Sequence, residues 1–229
     1  MCGRYSFASS KEKINKHFNF NIKQDLQSSY NIAPTHNAYV ITNEAPKKLQ
    51  RLMWGLVPHW AKTSKIGSNL INARFETIAT KPSFRIPIRK RRCLVLADGF
   101  YEWRRYGASK IPYRITAKNS NDLLVFAGLW DVWNTPSGIP MQTFTIITTP
   151  PNEEMKMVHN RMPMILFSKE AQQEWISDLA LSDALGLLKT PESDMLKLFP
   201  VSSKVNKPTY NEPDLYNSVE EPPTLFDFT

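Results

Sequence analysis

From residue 39 to residue 149 the chain returns again and again to runs rich in Val, Ile, Leu, Phe, Tyr and Trp, with Gly, Pro and Asn between them. Runs of this length, rich in β-branched and aromatic side chains and ended by turn formers, read as strands. They cover 39–42, 49–57, 93–103, 113–117, 123–133 and 142–149. Helical patterning lies outside them. Residues 9–19 carry Ser9 and Glu12 as a capping box, with Ile14 and Phe18 on one face. Ser168 and Ser182 are placed to cap helices over 169–178 and 183–189. Strands first and helices after them predict an α+β fold: a single domain with a mostly antiparallel, barrel-like β core and peripheral helices.

Charge adds a direction. The 229 residues carry a formal net charge of +8, and it is uneven. Residues 207–229 hold one Lys and five acids, a local −4, which leaves +12 on residues 1–206. The reading is therefore a basic domain over 1–206 followed by an acidic, proline-containing tail over 207–229. A basic body attracts polyanions, nucleic acid first among them. No apolar run approaches the ~20 residues that span a bilayer. Two cysteines make no disulfide framework, and four scattered histidines without Cys-x-x-Cys suggest no metal site. Phosphate-loop and dinucleotide-binding glycine patterns are missing, so no cofactor is expected. The start of the chain turns polar at once and does not read as a secretory signal. A cytoplasmic monomer, without membrane or metal partners, is the expectation.

Cys2 is the first residue with chemistry to offer. Removal of Met1 would make it N-terminal, with a thiol of pKa about 8.5 and an α-amine of pKa about 7.7–8.0 on adjacent carbons. Such a pair captures an aldehyde: the amine forms a Schiff base and the thiol closes a five-membered thiazolidine. A buried cysteine that happens to stand near the start is the plainer reading of the position alone. Cys93, inside Arg92-Cys93-Leu94-Val95-Leu96, reads as core. His159 lies in a proline-containing loop beside Arg161 and titrates in the range a proton shuttle needs. Glu102 ends an aromatic strand, where apolar surroundings favour the neutral carboxyl. Asn72 offers hydrogen bonds and Arg74 a phosphate grip. The run Arg85, Arg89, Lys90, Arg91 and Arg92, with Trp54, Trp60, Tyr101 and Trp103 near loops, describes a groove for single-stranded nucleic acid. A solvated charged face and ordinary core aromatics fit the same residues. No helix reads as a major-groove recognition helix.

Several segments taken in order are more telling than any residue alone. They are Met1-Cys2-Gly3-Arg4-Tyr5, Tyr30-Asn31-Ile32-Ala33-Pro34-Thr35, Trp54-Gly55-Leu56-Val57-Pro58-His59-Trp60 and Ile71-Asn72-Ala73-Arg74-Phe75-Glu76-Thr77. Ala97-Asp98-Gly99-Phe100-Tyr101-Glu102-Trp103, Phe126-Ala127-Gly128-Leu129-Trp130, Thr145-Ile146-Ile147-Thr148-Thr149, His159-Asn160-Arg161-Met162-Pro163 and Pro200-Val201-Ser202 follow. With these the chain resembles the SOS response-associated peptidase family, the abasic-site shielding proteins, across about residues 1–206.

The resemblance implies a single α+β domain that binds single-stranded DNA and crosslinks to abasic sites through Cys2, after a removal of Met1 that the family is thought to perform on itself. By motif position Cys2 is the nucleophile, Asn72 holds the α-amine or the opened sugar, and Glu102 and His159 move protons. Arg4, Arg74, Arg161 and Thr148 match phosphate contacts, and Trp54 and Trp60 match aromatics that shape the DNA channel. The implied setting is the cytoplasm, at the nucleoid when DNA is bound. Two positions depart from some members: Asn160 stands where they have Asp, and His59 precedes Trp60 where they have adjacent tryptophans. Two other functions fit parts of the pattern. One is a thiol peptidase using Cys2, Glu102 and His159 on protein substrates. The other is a non-covalent reader of modified DNA.

Overall fold

A computed structural model describes residues 2–107, 109–119 and 122–220. Met1, whose removal is expected, and the end of the acidic tail at 221–229 lie outside the described residues. The strands are β1 (Tyr5–Phe7), β2 (Ser29–Ile32), β3 (Asn37–Thr42), β4 (Gln50–Trp54), β5 (Asn72–Arg74), β6 (Arg92–Ala97), β7 (Gly99–Tyr106), β8 (Ser109–Ala117), β9 (Leu124–Asn134), β10 (Pro140–Thr149), β11 (Met162–Pro163) and β12 (Leu196–Pro200). The helices are α1 (Lys11–Phe18), α2 (Pro87–Lys90), α3 (Glu153–Lys156), α4 (Lys169–Trp175) and α5 (Leu181–Gly186), joined by several 3-10 turns.

Five strands close on themselves. The order β10-β4-β3-β6-β9 returns to β10 through a seven-residue antiparallel ladder from Pro140↔Asn134 to Ile146↔Gly128. Closure removes both edges of this sheet. Pairing is antiparallel except where β10 runs parallel to β4 and then to β5. The interior is filled by Trp54, Val95, Phe126, Phe144 and Ile146, none of them exposed. A second sheet, β12-β8-β7-β1-β2, lies against the barrel. Tyr5 of β1 joins the two: its ring meets Trp54 edge-on at 5.1 Å and Phe126 at 6.0 Å.

The α+β fold with a barrel-like core is therefore what the chain adopts, with boundaries corrected by tertiary contacts. The run 93–103 is not one strand. Asp98 interrupts it, accepting hydrogen bonds from the Ala8 amide and the Ser9 hydroxyl, and the chain passes from the barrel (β6) into the second sheet (β7). Ser9 is thus engaged by Asp98, and the cap of α1 is Ser10, whose hydroxyl accepts from the Lys13 amide. Ser168 caps α4 as expected, whereas α5 starts after Ala180 rather than Ser182.

The described part of the segment after residue 206 packs against the domain. Pro213–Tyr216 forms a 3-10 turn with Leu215 fully buried. Asn211 Oδ1 accepts the amides of Tyr30 and Asn31 at 2.7 and 3.0 Å. Low periodicity in 207–219 hides a segment docked by a few side chains, which a charge count cannot show. Among the described residues no helix is long and apolar enough to cross a membrane, and no cluster of His, Cys, Asp or Glu could hold a metal ion.

Candidate active site

The N-terminal residues are fixed in the interior by β1, which pairs with β2 on one side and β7 on the other. This carries Cys2, fully buried, to the junction of the two sheets. Asn72 arrives on β5. Gly55, at φ 124°, packs against the Gly67 carbonyl so closely that a Cβ would lie 2.7 Å from its oxygen. That close crossing folds the 56–71 loop back onto the barrel and delivers β5 to the end of β10, where Ile146 pairs Asn72 and Thr148 pairs Arg74. There the Asn72 Nδ2 donates to the Cys2 carbonyl at 2.7 Å, while its Oδ1 is buried with no partner among the described residues.

Glu102 enters from β7. It is buried at 2% exposure, and burial pushes its carboxyl up to about 7. His159 comes from the end of α3, whose N-cap Asn152 accepts from Met155, the same residue whose carbonyl takes the His159 amide at 2.8 Å. Glu102 Oε2 and His159 Nε2 stand 4.0 Å apart. His159 Nδ1 accepts the Arg161 amide at 3.0 Å, so the neutral ring carries its proton on Nε2, the atom facing Glu102. Burial first and nearby positive charge second hold the His159 pKa below its ordinary value, which keeps the ring neutral at pH 7. Burial, and then the charge of Glu102, raises the Cys2 pKa well above its ordinary value, so the sulfur is a thiol.

A cleft of about 440 Å³ leads to this pair, lined by Glu102, Trp103, Arg105, Lys110, His159 and Asn206. Clefts of about 590 Å³ beside α1 and α4 and about 600 Å³ around Asp98 are roomier. The smaller one is where a carboxyl titrating near neutrality meets a neutral histidine, the combination that marks acid–base chemistry.

A cysteine at position 2, an amide, a carboxyl and an imidazole brought together from four parts of the chain invite comparison with known proteins. The sequence profile described as SOS response associated peptidase (SRAP) matches residues 1–208. The chain belongs to the SRAP family. It is 46% identical over 225 residues to the abasic site processing protein YoqW of Bacillus subtilis, covering 95% of this chain and 100% of that one. It is 33% identical to the abasic site processing protein HMCES of Gallus gallus, covering 84% of this chain and 66% of the relative. A crystal structure of a Bacteroides thetaiotaomicron protein superposes with a TM-score of 0.86 at 29% identity, covering 96% of this chain and 100% of that one.

Within this SRAP domain the residues expected on DNA divide sharply. Arg74 and Trp60 are exposed, Trp60 by 50%. Trp54 is not on a channel wall: it is fully buried, and its indole donates to the Ile71 carbonyl at 2.9 Å. Alternation along β4 turns it inward beneath Tyr5. Arg4 donates to Asn31 Oδ1 at 2.8 Å and to the Val205 carbonyl at 2.6 Å, tying β1 to the C-terminal segment. Arg161 forks onto Glu76 and donates to both oxygens of Thr148, which is itself fully buried.

The arginine run around residue 90 also splits. Arg92 is core, 1% exposed, its guanidinium donating to the carbonyls of Ile88, Trp175 and Ser177. Arg91 pairs with the buried Asp131, which also accepts the His59 amide at 3.0 Å and His59 Nδ1 at 3.2 Å, pinning the loop that presents Trp60. Arg85, Arg89 and Lys90 remain on the surface. Three cleft residues escape a reading of the sequence: Arg105, Lys110 and Asn206. The first two are legible as same-face partners of Trp103 on a hairpin; Asn206 is not, because its place depends on the docking of the C-terminal segment.

Proposed function

We propose that this SRAP domain binds single-stranded DNA and traps abasic sites covalently through Cys2 once Met1 has been removed. The observation that carries the reading is the convergence on Cys2: Asn72 at its carbonyl, and Glu102 and His159 paired behind one cleft. The family relatives named for abasic-site processing support the substrate.

The chemistry follows from the protonation states. Hydrolysis of the Met1–Cys2 peptide bond frees the α-amine, in a site where Asn72 Oδ1 is buried and open to a donor. The Glu102–His159 pair supplies the proton transfers for that hydrolysis too, making it an autoproteolytic step. An opened abasic sugar presents an aldehyde at C1′, which an intact nucleotide lacks. The sulfur is protonated, so the amine attacks first: it adds to C1′, and water leaves as the Schiff base forms. A carboxyl with a pKa of about 7 donates the proton that the departing hydroxyl needs. The thiol then adds to the same carbon, its proton passing to nitrogen, and the thiazolidine closes. Electrostatic attraction brings any single strand, and the aldehyde alone decides what stays. A product enclosed in this site shields the lesion, and elimination at the sugar would be a lyase side path of the Schiff base. The domain acts as a monomer in this reading, since one chain supplies every group.

The test is incubation of purified protein with a single-stranded oligonucleotide containing one abasic site. A denaturant-resistant adduct whose mass corresponds to loss of one water is expected, absent with Cys2→Ala. No adduct from protein whose Met1 is shown by mass to be gone sinks the reading.

A further inference from the structure

Near its tip the β7–β8 hairpin sets two cations directly opposite each other, where a strand ladder would ordinarily avoid them. Arg105 and Lys110 are direct cross-strand partners, two positions beyond Trp103↔Pro112. Like charges placed directly opposite repel and destabilise a ladder. Among the described residues neither forms an ion pair with a carboxylate. Both are exposed, and both line the cleft that opens on Glu102 and His159. Arg105 is near enough for its charge to oppose protonation of His159. Trp103, on the same face of the hairpin, donates its indole N–H to Asn206 Oδ1 at 2.7 Å and fixes that wall.

Two further cations near this site are already occupied by the protein. Arg4 is held by Asn31 and a carbonyl, and Arg161 by Glu76 and Thr148. A phosphate arriving with the sugar at the cleft mouth therefore meets Arg105 and Lys110 without having to break either of those internal pairings. We propose that Arg105 and Lys110 form a clamp for the backbone phosphate adjoining the abasic sugar. The clamp rests on the DNA-trapping reading above and deepens it. The bound phosphate supplies the missing counter-charge of the hairpin, and holding it there sets the sugar's C1′ in front of the acid–base pair. Guanidinium and ammonium on facing strands suit one phosphodiester held by two sides.

The probe is a single-stranded oligonucleotide carrying a tetrahydrofuran abasic analogue, which cannot react, with either natural phosphates or a neutral methylphosphonate on each side of the analogue. Arg105→Ala/Lys110→Ala is compared with wild type and with Arg89→Ala/Lys90→Ala, which removes equal charge from α2. The clamp predicts that the hairpin variant binds the natural oligonucleotide about fivefold or more weakly. Its slope of log K against log salt should become shallower by about 0.7 for each phosphate no longer neutralised. The clamp also predicts that methylphosphonate weakens wild type but hardly affects the hairpin variant. Equal methylphosphonate sensitivity in wild type and hairpin variant overturns the clamp. So does an equal loss in the α2 variant, which would mean general charge rather than a site. Adduct formation by wild type on a true abasic oligonucleotide, measured alongside, reports on the trapping reading separately: an adduct with no clamp signature refutes the clamp alone.

Discussion

The side-chain amide of Asn72 holds the carbonyl of Cys2 at 2.7 Å, and it does so from a strand seventy residues further along the chain. In the proposed reaction this bond fixes the residue whose amine and thiol meet one carbon. Asn72→Ala removes it and should slow adduct formation at least tenfold, while the loss of a single hydrogen bond costs about 1 kcal/mol of stability. Single-turnover rates beside a thermal melt separate the two effects. A rate equal to wild type would show that Asn72 does not position Cys2.

In the proposed reaction, Glu102 should make activity and stability depend on pH in the same region. Its carboxyl, raised from an ordinary 4.5 to about 7 by burial, donates a proton only while it is protonated. The adduct rate should fall as pH rises through about 7, and Glu102→Gln should be slow and lack that limb. The sign for stability follows from the same shift. The folded state holds the proton more tightly than the unfolded chain, so Glu102 costs nothing below about 4.5, costs more as pH rises toward 7, and reaches its full cost above that. Glu102→Gln should therefore raise Tm at pH 8 and leave it nearly unchanged at pH 4.

Trp54 and Trp60 give opposite phenotypes. Trp54→Ala empties a fully buried site under Tyr5 and should cost about 3–5 kcal/mol, read as a large loss of Tm. Trp60→Ala removes a half-exposed ring and should leave Tm nearly unchanged. It should weaken single-strand binding by the worth of one stacked base, about 1–3 kcal/mol. Anisotropy titration and calorimetry on both variants check this.

Asp131 is buried among Arg91, the His59 amide and the His59 ring. Asp131→Ala leaves those donors facing a void and should destabilise the domain by about 3–5 kcal/mol. Asp131→Asn keeps the shape and should cost less. Its DNA affinity should fall with a loosened Trp60 loop, measurable as greater mobility of a Trp60 fluorescence signal.

Removal of residues 207–229 should lower Tm, since it strips Leu215 from its pocket and leaves the Tyr30 and Asn31 amides unpaired. Unchanged Tm would restore the reading of this segment as a simple tail.

Local patterning and a run of motifs encode the part of the molecule that is legible in sequence. Strand-forming runs mark most of the barrel, and the motifs name Cys2, Asn72, Glu102 and His159 without revealing where they meet. Barrel closure through β10 and the parallel placement of β5 are not legible, because both depend on pairings between segments far apart in the chain. The two residues found in the core share one cause. Trp54 and Arg92 belong to types that suggest nucleic-acid contact, yet each is spent inside the fold on backbone carbonyls. Residue type announces what a side chain can bind, and only packing decides which partner reaches it first.

The Asn211 oxygen that accepts the β2 amides has a consequence for solubility. β2 is one of the two outer strands of the second sheet, and a bare outer strand is a template on which another chain can add. One side chain occupies its free N–H groups in place of a further strand. A second extended chain arriving at this edge finds those two donors already taken.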